Sequence, residues 1–335
     1  MMLNNVKENV STYPTDDYDY MKDGNKEKRI KLIENYYKSV ESTSALTNEQ
    51  TFESFLLTQK FPFYDENDNL VETYIRYCIL YFEELNYDQK STGLNLLDHL
   101  LVNISPSKLN LNMRSQLIYD TLERYLNMKE SSQFLDNIIQ TMLCLLNIIE
   151  SKYSTTEHQF RKHSHVFDSL LNNCYMTTTN EIKCIYLKHL PNYLKQMDYY
   201  STRHIEKILT ITFDFVDHNN NDTNSIHTCL FNIDEQEKLV LISLNILETL
   251  IKQCSLRMHH HARRIINNLI KIVYLYGLSN KSSHEQVPII IQTIVDLLKL
   301  LFENSRVKEN YYQEFSTLKS NNELNQTFLK LIENI

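Results

Sequence analysis

Residues 89–126 read QKSTGLNLLDHLLVNISPSKLNLNMRSQLIYDTLERYL. Leu94, Leu97, Leu101 and Ile104 follow a three-four-three spacing, which lines one face of a helix with apolar side chains. Ser105-Pro106-Ser107 ends that helix, because proline has no amide hydrogen and a fixed φ. Ile118, Leu122 and Tyr125 share one face of a second helix. The stretch is a helix, a corner and a second helix, each with a face to bury. One such hairpin cannot bury both faces alone, so it requires neighbours.

The pattern recurs along the chain. Before the hairpin, helical spacing starts near Glu27 with Ile30, Ile33 and Tyr37, and returns over Phe52–Leu57. A strong helix carries Tyr74, Cys78, Tyr81 and Leu85, with Ile75, Ile79 and Phe82 beside them. After the hairpin, Leu135, Ile138, Met142, Leu145 and Ile149 keep the rhythm. Helices are expected over 166–176 and 181–197, the second kinked or broken at Pro191. Ser201 or Thr202 can cap the next, whose inner face holds Ile208, Ile211 and Phe215. Further helices carry Val240, Leu244, Leu247 and Ile251, then Ile265, Leu269, Ile272 and Tyr276 up to Gly277. Pro288 opens one with Ile291, Val295, Leu298 and Phe302, and two shorter helices finish the chain.

Residues 154–165, 217–228 and 279–286 are polar and are expected to be loops. Residues 1–26 show no useful period and are expected to form a disordered tail. Residues 27–335 then form a single domain. Antiparallel pairs recur at roughly forty residues, the period of HEAT and armadillo repeats. The expected fold is all-α, a helical-repeat (HEAT/armadillo-like) α-solenoid, with a globular helical bundle as its rival.

Composition points the same way. The 335 residues include only 3 glycines and 5 prolines, too few for the tight turns of a large sheet protein. Glycines at 24, 93 and 277 cannot build a glycine-rich phosphate loop. The net charge of -8 opposes a nucleic-acid partner. Six cysteines lie without a CxxC pair, mostly inside apolar helical patterns, as expected of buried thiols in a reducing compartment. No signal peptide is visible, and the most apolar window, Ile138–Ile149, is too short to cross a bilayer. The expectation is a soluble intracellular protein with no membrane partner.

No constellation of residues announces catalysis. His259-His260-His261 point about 100° apart on a helix and cannot chelate one metal together. His163 and His165 have no ligand-spaced partner. His189 and His204 flank Pro191 and read as a structural contact. Asp16-Asp17-Tyr18-Asp19-Tyr20 is acidic but lies in the expected tail, and Cys184 between Lys183 and Lys188 reads as a packed thiol. We therefore expect no enzyme activity, no cofactor and no metal. The most basic stretch, Arg257–Lys271, reads as a solvated helix face or as a docking surface in which Arg257, Arg263 and Arg264 meet an acidic partner.

Two blocks carry a family resemblance. The first holds Gly93, Leu97, His99, Leu100, Asn103, Leu109, Arg114, Gln116 and Tyr119, with the corner proline shifted by one position at Pro106. The second holds Tyr186, Leu190-Pro191 and, after eleven intervening residues, Arg203-His204, with Ile205–Val216 continuing. Together they resemble the smaller of the two Tel-interacting proteins, the Tti-two family, over roughly residues 70–300. The chain departs from that family in a short N-terminal region and in an asparagine-rich insert at 217–228.

The resemblance implies a non-enzymatic, helical-repeat subunit of the Triple-T complex. Its partners would be the larger Tel-interacting protein and a Tel-two-like subunit. It would work with the heat-shock-ninety chaperone machinery to mature phosphatidylinositol-3-kinase-related kinases such as TOR, ATM and ATR, in the cytoplasm and nucleus. The alternatives are another helical-repeat adaptor for transport or assembly, or a helical-repeat nucleic-acid enzyme. Arg203 and His204 are expected to brace adjacent helices, with Arg203 donating to carbonyls freed around Pro191. Residues 234–335 are expected to carry much of the contact with the larger Tel-interacting protein.

Overall fold

The computed structural model describes residues 25–39, 49–61, 63–84, 86–127, 131–150, 160–221, 233–278, 287–303 and 307. Among them every regular element is helical and no strand occurs. The expected tail up to residue 24, with its Asp16–Tyr20 run, the loop at 279–286 and the final helices lie outside the described residues. The sequence reading takes 27–335 as one domain; the described residues pack as two compact units that divide between Thr121 and Leu122.

The first unit contains α1 (Asn25–Ser39), α2 (Glu49–Thr58), α3 (Phe63–Glu66), α4 (Asp68–Phe82), α5 (Tyr87–Asn103) and α6 (Pro106–Leu109). Helix α7 (Arg114–Leu126) runs across the division. Helix α5 packs on α4 and α2, and α1 packs on the same two helices. Leu94, Leu97, Leu101 and Ile104 are buried, as their spacing requires. At the corner, Pro106 takes the first position of α6 and Ser105 Oγ accepts the Lys108 amide at 3.4 Å. The inward face of α1 is Arg29, Ile33 and Tyr36, not the expected Ile30, Ile33 and Tyr37. Its rotation follows the Arg29 guanidinium, which turns inward to Glu49 and Glu84.

The second unit contains α8 (Ser132–Ile149), α9 (Arg161–Met176), α10 (Asn180–Met197), α11 (Ile205–Asn221), α12 (Ile233–Gln253), α13 (Met258–Leu278) and α14 (Val287–Phe302). Helices α8, α10, α12 and α14 pack in succession, and so do α9, α11 and α13. Contacts of α8 with α9, α9 with α10, α11 with α12 and α13 with α14 join the two rows. The apolar stripes face these contacts: Leu135, Ile138, Met142 and Leu145 on α8, and Val240, Leu244, Leu247 and Ile251 on α12, are all buried.

Four local expectations are corrected. Helix α9 begins at Arg161, inside the segment expected to be a loop. Its free amides are met by a distant carboxylate, Glu150, which accepts from Lys162 N at 2.7 Å and His163 N at 2.9 Å. Of the kink or break expected at Pro191 the break does not occur: α10 runs through it, packed by α8, α9 and α12. Ser201 does not cap α11: it sits in a 3-10 segment, Asp198–His204, and donates to the Asp198 carbonyl at 2.5 Å. Helices α11 and α13 extend to Asn221 and Leu278, past the expected loop start at 217 and the expected stop at Gly277.

Candidate functional site

In the second unit, one kind of contact recurs between successive helices of a row, from α8 to α10, α9 to α11 and α11 to α13. A carboxylate on one helix meets a histidine and a longer cation on the next. Asp136 of α8 lies 2.6 Å from both Lys188 Nζ and His189 Nε2 of α10. Asp168 of α9 lies 2.6 Å from Lys207 Nζ of α11 and 3.3 Å from His204 Nδ1. Glu206 of α11 lies 3.1 Å from His261 Nδ1 and 2.8 Å from Arg264 Nη1, both of α13. Glu123, in the last turns of α7, meets His165 of α9 at 2.7 Å. In the first unit a carboxylate instead meets two long cations, with Asp68 of α4 at 3.2 Å from Lys108 Nζ and 3.3 Å from Arg114 Nη1.

Burial decides which of these contacts matter. The lysines and Arg264 are largely solvated, and such ion pairs contribute little. His189 and His204 are buried. Burial pushes both imidazoles below their ordinary range, and the partial charge balance from Asp136 and Asp168 does not undo it. Burial also tends to raise the Asp136 carboxyl, but hydrogen bonds from Lys188 and His189 hold it below the usual carboxylate range. His204 is fixed further by Ser164 Oγ at 2.8 Å from its Nε2.

A second polar chain sits where α8 gives way to α9. His163 is fully buried, with Nδ1 at 2.9 Å from Glu150 and Nε2 at 3.1 Å from the Gln196 amide group. Burial acts to raise the Glu150 carboxyl, but His163 and the two backbone amides outweigh it and hold it low. One carboxylate thus caps α9 and fixes the buried ring that touches the end of α10.

The residues singled out from sequence fall into two groups. Gly93, Arg114, Tyr119, Pro191 and His204 are buried. A Cβ on Gly93 would stand 2.6 Å from Tyr81 Cβ and 3.1 Å from the Cys78 carbonyl, so glycine permits the α4–α5 contact. Arg114 donates to the carbonyls of Asp68 and Lys108 at 3.1 and 3.3 Å, tying α6 and α7 to the start of α4. Asn103 donates to the His99 carbonyl at 2.9 Å within α5. Arg203, by contrast, is exposed and lies 5.8 Å from the Tyr200 ring; the expected bonds to carbonyls near Pro191 are absent because the helix there never breaks.

The basic stretch divides in the same way. Arg257 and Arg263 are exposed, whereas Arg264 turns to α11, reaching Glu206 and Thr210 Oγ1 at 3.1 Å. The three do not form one uniform cationic face.

Sequence reasoning missed Arg29, which is 1% exposed. It pairs with Glu49 at 2.7 Å and Glu84 at 2.5 Å, and lies over the Tyr81 ring at 4.1 Å. Tyr77 and Tyr81 complete the cluster by donating to Glu53. The partners lie far along the chain, and no local pattern marks them. Two clefts also emerge in the second unit. One of about 350 Å³ runs along the starts of α8, α10 and α12, lined by Asp136, Glu181, Cys184, Lys188, Lys238 and Ile242 among others. The other, of about 370 Å³, lies between Glu248, Lys252, Asp296 and Lys299. Both mix charges of opposite sign.

Among the described residues, no three His, Cys, Asp or Glu side chains converge as metal ligands. Cys78, Cys174, Cys184 and Cys254 are buried and outside any disulfide, and burial pushes the Cys78 and Cys254 thiols up, away from reactivity. No single helix among the described residues is long and apolar enough to cross a membrane. No protein-family model matches the chain, and no curated protein does either.

Proposed function

We propose that the chain is a non-enzymatic helical-repeat scaffold, an α-solenoid subunit of a Triple-T-like complex that supports maturation of phosphatidylinositol-3-kinase-related kinases. The observation that carries the repeat reading is the recurring bridge between successive helices of a row, from Asp136 to His189, Asp168 to His204 and Glu206 to His261. Helices that meet their second-next neighbour through equivalent contacts are what stacked repeats produce. The family reading is supported by where its motif residues lie. Gly93, Arg114 and His204 stand at helix–helix contacts, as residues that define a scaffold do. Its partners would be the larger Tel-interacting protein and a Tel-two-like subunit, with the heat-shock-ninety machinery and client kinases reached through them.

Affinity purification of the tagged full chain, followed by mass spectrometry, tests the proposal. Stoichiometric recovery of those two subunits is the expected result. Recovery of a transport or assembly complex without them would replace the Triple-T reading with that of another helical-repeat adaptor.

A further inference from the structure

Three helix corners lie side by side on one edge of the second unit. They join α8 to α9, α10 to α11 and α12 to α13; of the first, Glu150 and Phe160 are the described residues. The first corner touches the second: the Phe160 and Tyr200 rings are 5.3 Å apart, and His163 Nε2 lies 3.1 Å from Gln196. The second touches the third: Ser201 Oγ lies 3.2 Å from Cys254 Sγ.

Each corner delivers an arginine at the start of the following helix. Arg161 opens α9, Arg203 stands just ahead of α11, and Arg257 immediately precedes α13. All three are exposed, and none has an ion-pair partner among the described residues. Large apolar groups are exposed beside them, Tyr199 at 63% and Leu256 at 85%. Of the acidic groups nearby, Glu150 is taken up by His163 and two amides, and Glu206 by His261 and Arg264. Asp198 is exposed next to Tyr199.

Spacing indicates the kind of partner. Helices α9, α11 and α13 pack in succession. Packed helices lie about 8–10 Å apart, so the helix starts that carry the arginines recur at about that interval. A peptide in the polyproline II conformation has three residues per turn and advances about 3.1 Å per residue, which returns every third side chain to the same face at about that spacing. A phosphate backbone needs denser cations than one per helix.

We infer that this edge is a docking surface for an extended acidic segment of a partner protein, with a carboxylate near every third residue and aromatic or aliphatic side chains between. Arg161, Arg203 and Arg257 take the carboxylates, a pairing guanidinium geometry favours. Tyr199 and Leu256 receive the apolar side chains. The inference rests on the scaffold reading for its class of partner. Co-purification tests that reading and peptide binding tests this edge, so either can fail alone.

The test is fluorescence anisotropy with the full chain and a labelled peptide of roughly four Glu-Tyr-Ser repeats, a probe built on the three-residue period above. Combined Arg161→Glu, Arg203→Glu and Arg257→Glu is compared with Lys31→Glu, Lys38→Glu and Lys271→Glu, which changes net charge equally at other exposed positions. Thermal melts confirm that both variants fold. Saturable, salt-sensitive binding is expected, weakened about tenfold or more by the arginine set and less than about twofold by the lysine set, as a loss of charge-assisted contacts requires. Absence of saturable binding overturns the inference. Equal weakening by both sets also overturns it, since bulk charge alone would then explain the attraction. Tighter, competing binding of a single-stranded oligonucleotide would assign the edge to nucleic acid instead.

Discussion

At the scale of single residues, long-range packing decides roles that local pattern leaves open. Gly93 breaks a helical stretch of sequence, and the reason becomes clear only against α4. Tyr81 Cβ at 2.6 Å and the Cys78 carbonyl at 3.1 Å are anchored to the backbone and cannot swing aside. Gly93→Ala must therefore push α4 and α5 apart. Overpacking costs about 1–3 kcal/mol, against roughly 1 kcal/mol regained in helix propensity. We expect a net loss of about 1 kcal/mol, read as a lower urea midpoint at unchanged slope. An unchanged or higher midpoint would mean that the two helices separate at no cost. The same limit on legibility explains Arg263 and Arg264. Adjacent residues on a helix point about 100° apart. Sequence shows two cations, while the fold turns one to Glu206 and leaves the other in solvent. Arg29 shows the limit most sharply. It lies in the charged run NKEKRIKLIE and reads as a surface residue, yet Glu49 and Glu84 draw it into the core.

At the scale of elements, the apolar spacing located nearly every helix, because burial of a stripe leaves a periodic trace in the chain itself. Boundaries were less legible where their cause is remote. The start of α9 depends on Glu150, which belongs to the preceding helix's C-cap and reaches across the corner to two amides. A search for a capping residue just ahead of Arg161 meets Phe160, in a left-handed conformation and without a capping bond. Helix α10 shows a strong local signal overruled in part, since the chain passes Pro191 without a break. An interior proline costs about 3 kcal/mol by losing a hydrogen bond and crowding the preceding turn. Packing against α8, α9 and α12 carries the helix through. Pro191→Ala would recover most of that cost and lose about two buried methylenes, near 0.8 kcal/mol each. We expect stabilisation of about 1 kcal/mol, measured as a raised melting temperature. A clear fall would show instead that α10 fits its neighbours only in the shape proline gives it.

At the scale of the molecule, the bridges of the second unit make folding sensitive to acid, and the direction follows from burial. His189 and His204 have folded pKa values lowered from 6.5 by desolvation. Between the lowered value and 6.5 the unfolded chain binds protons that the folded chain does not, so stability rises with pH across that window. Their contribution is complete above about pH 6.5 and is lost as pH falls from there towards the folded values. Asp136 and Glu150, also lowered, contribute stability above the unfolded carboxylate range and lose it only as pH falls further, through their folded values. The two sets act with the same sign in separate windows. Urea midpoints should decline in two stages on acidification, the first beginning near pH 6.5. The combined His189→Gln and His204→Gln variant should flatten that first stage whatever it does to stability at pH 8, since glutamine keeps hydrogen bonding and does not titrate. If the native chain instead became more stable between about pH 6.5 and 5.5, the imidazoles would be taking up protons as ion-pair partners of Asp136 and Asp168. The bridges would then be held by charge, and burial would no longer set their behaviour.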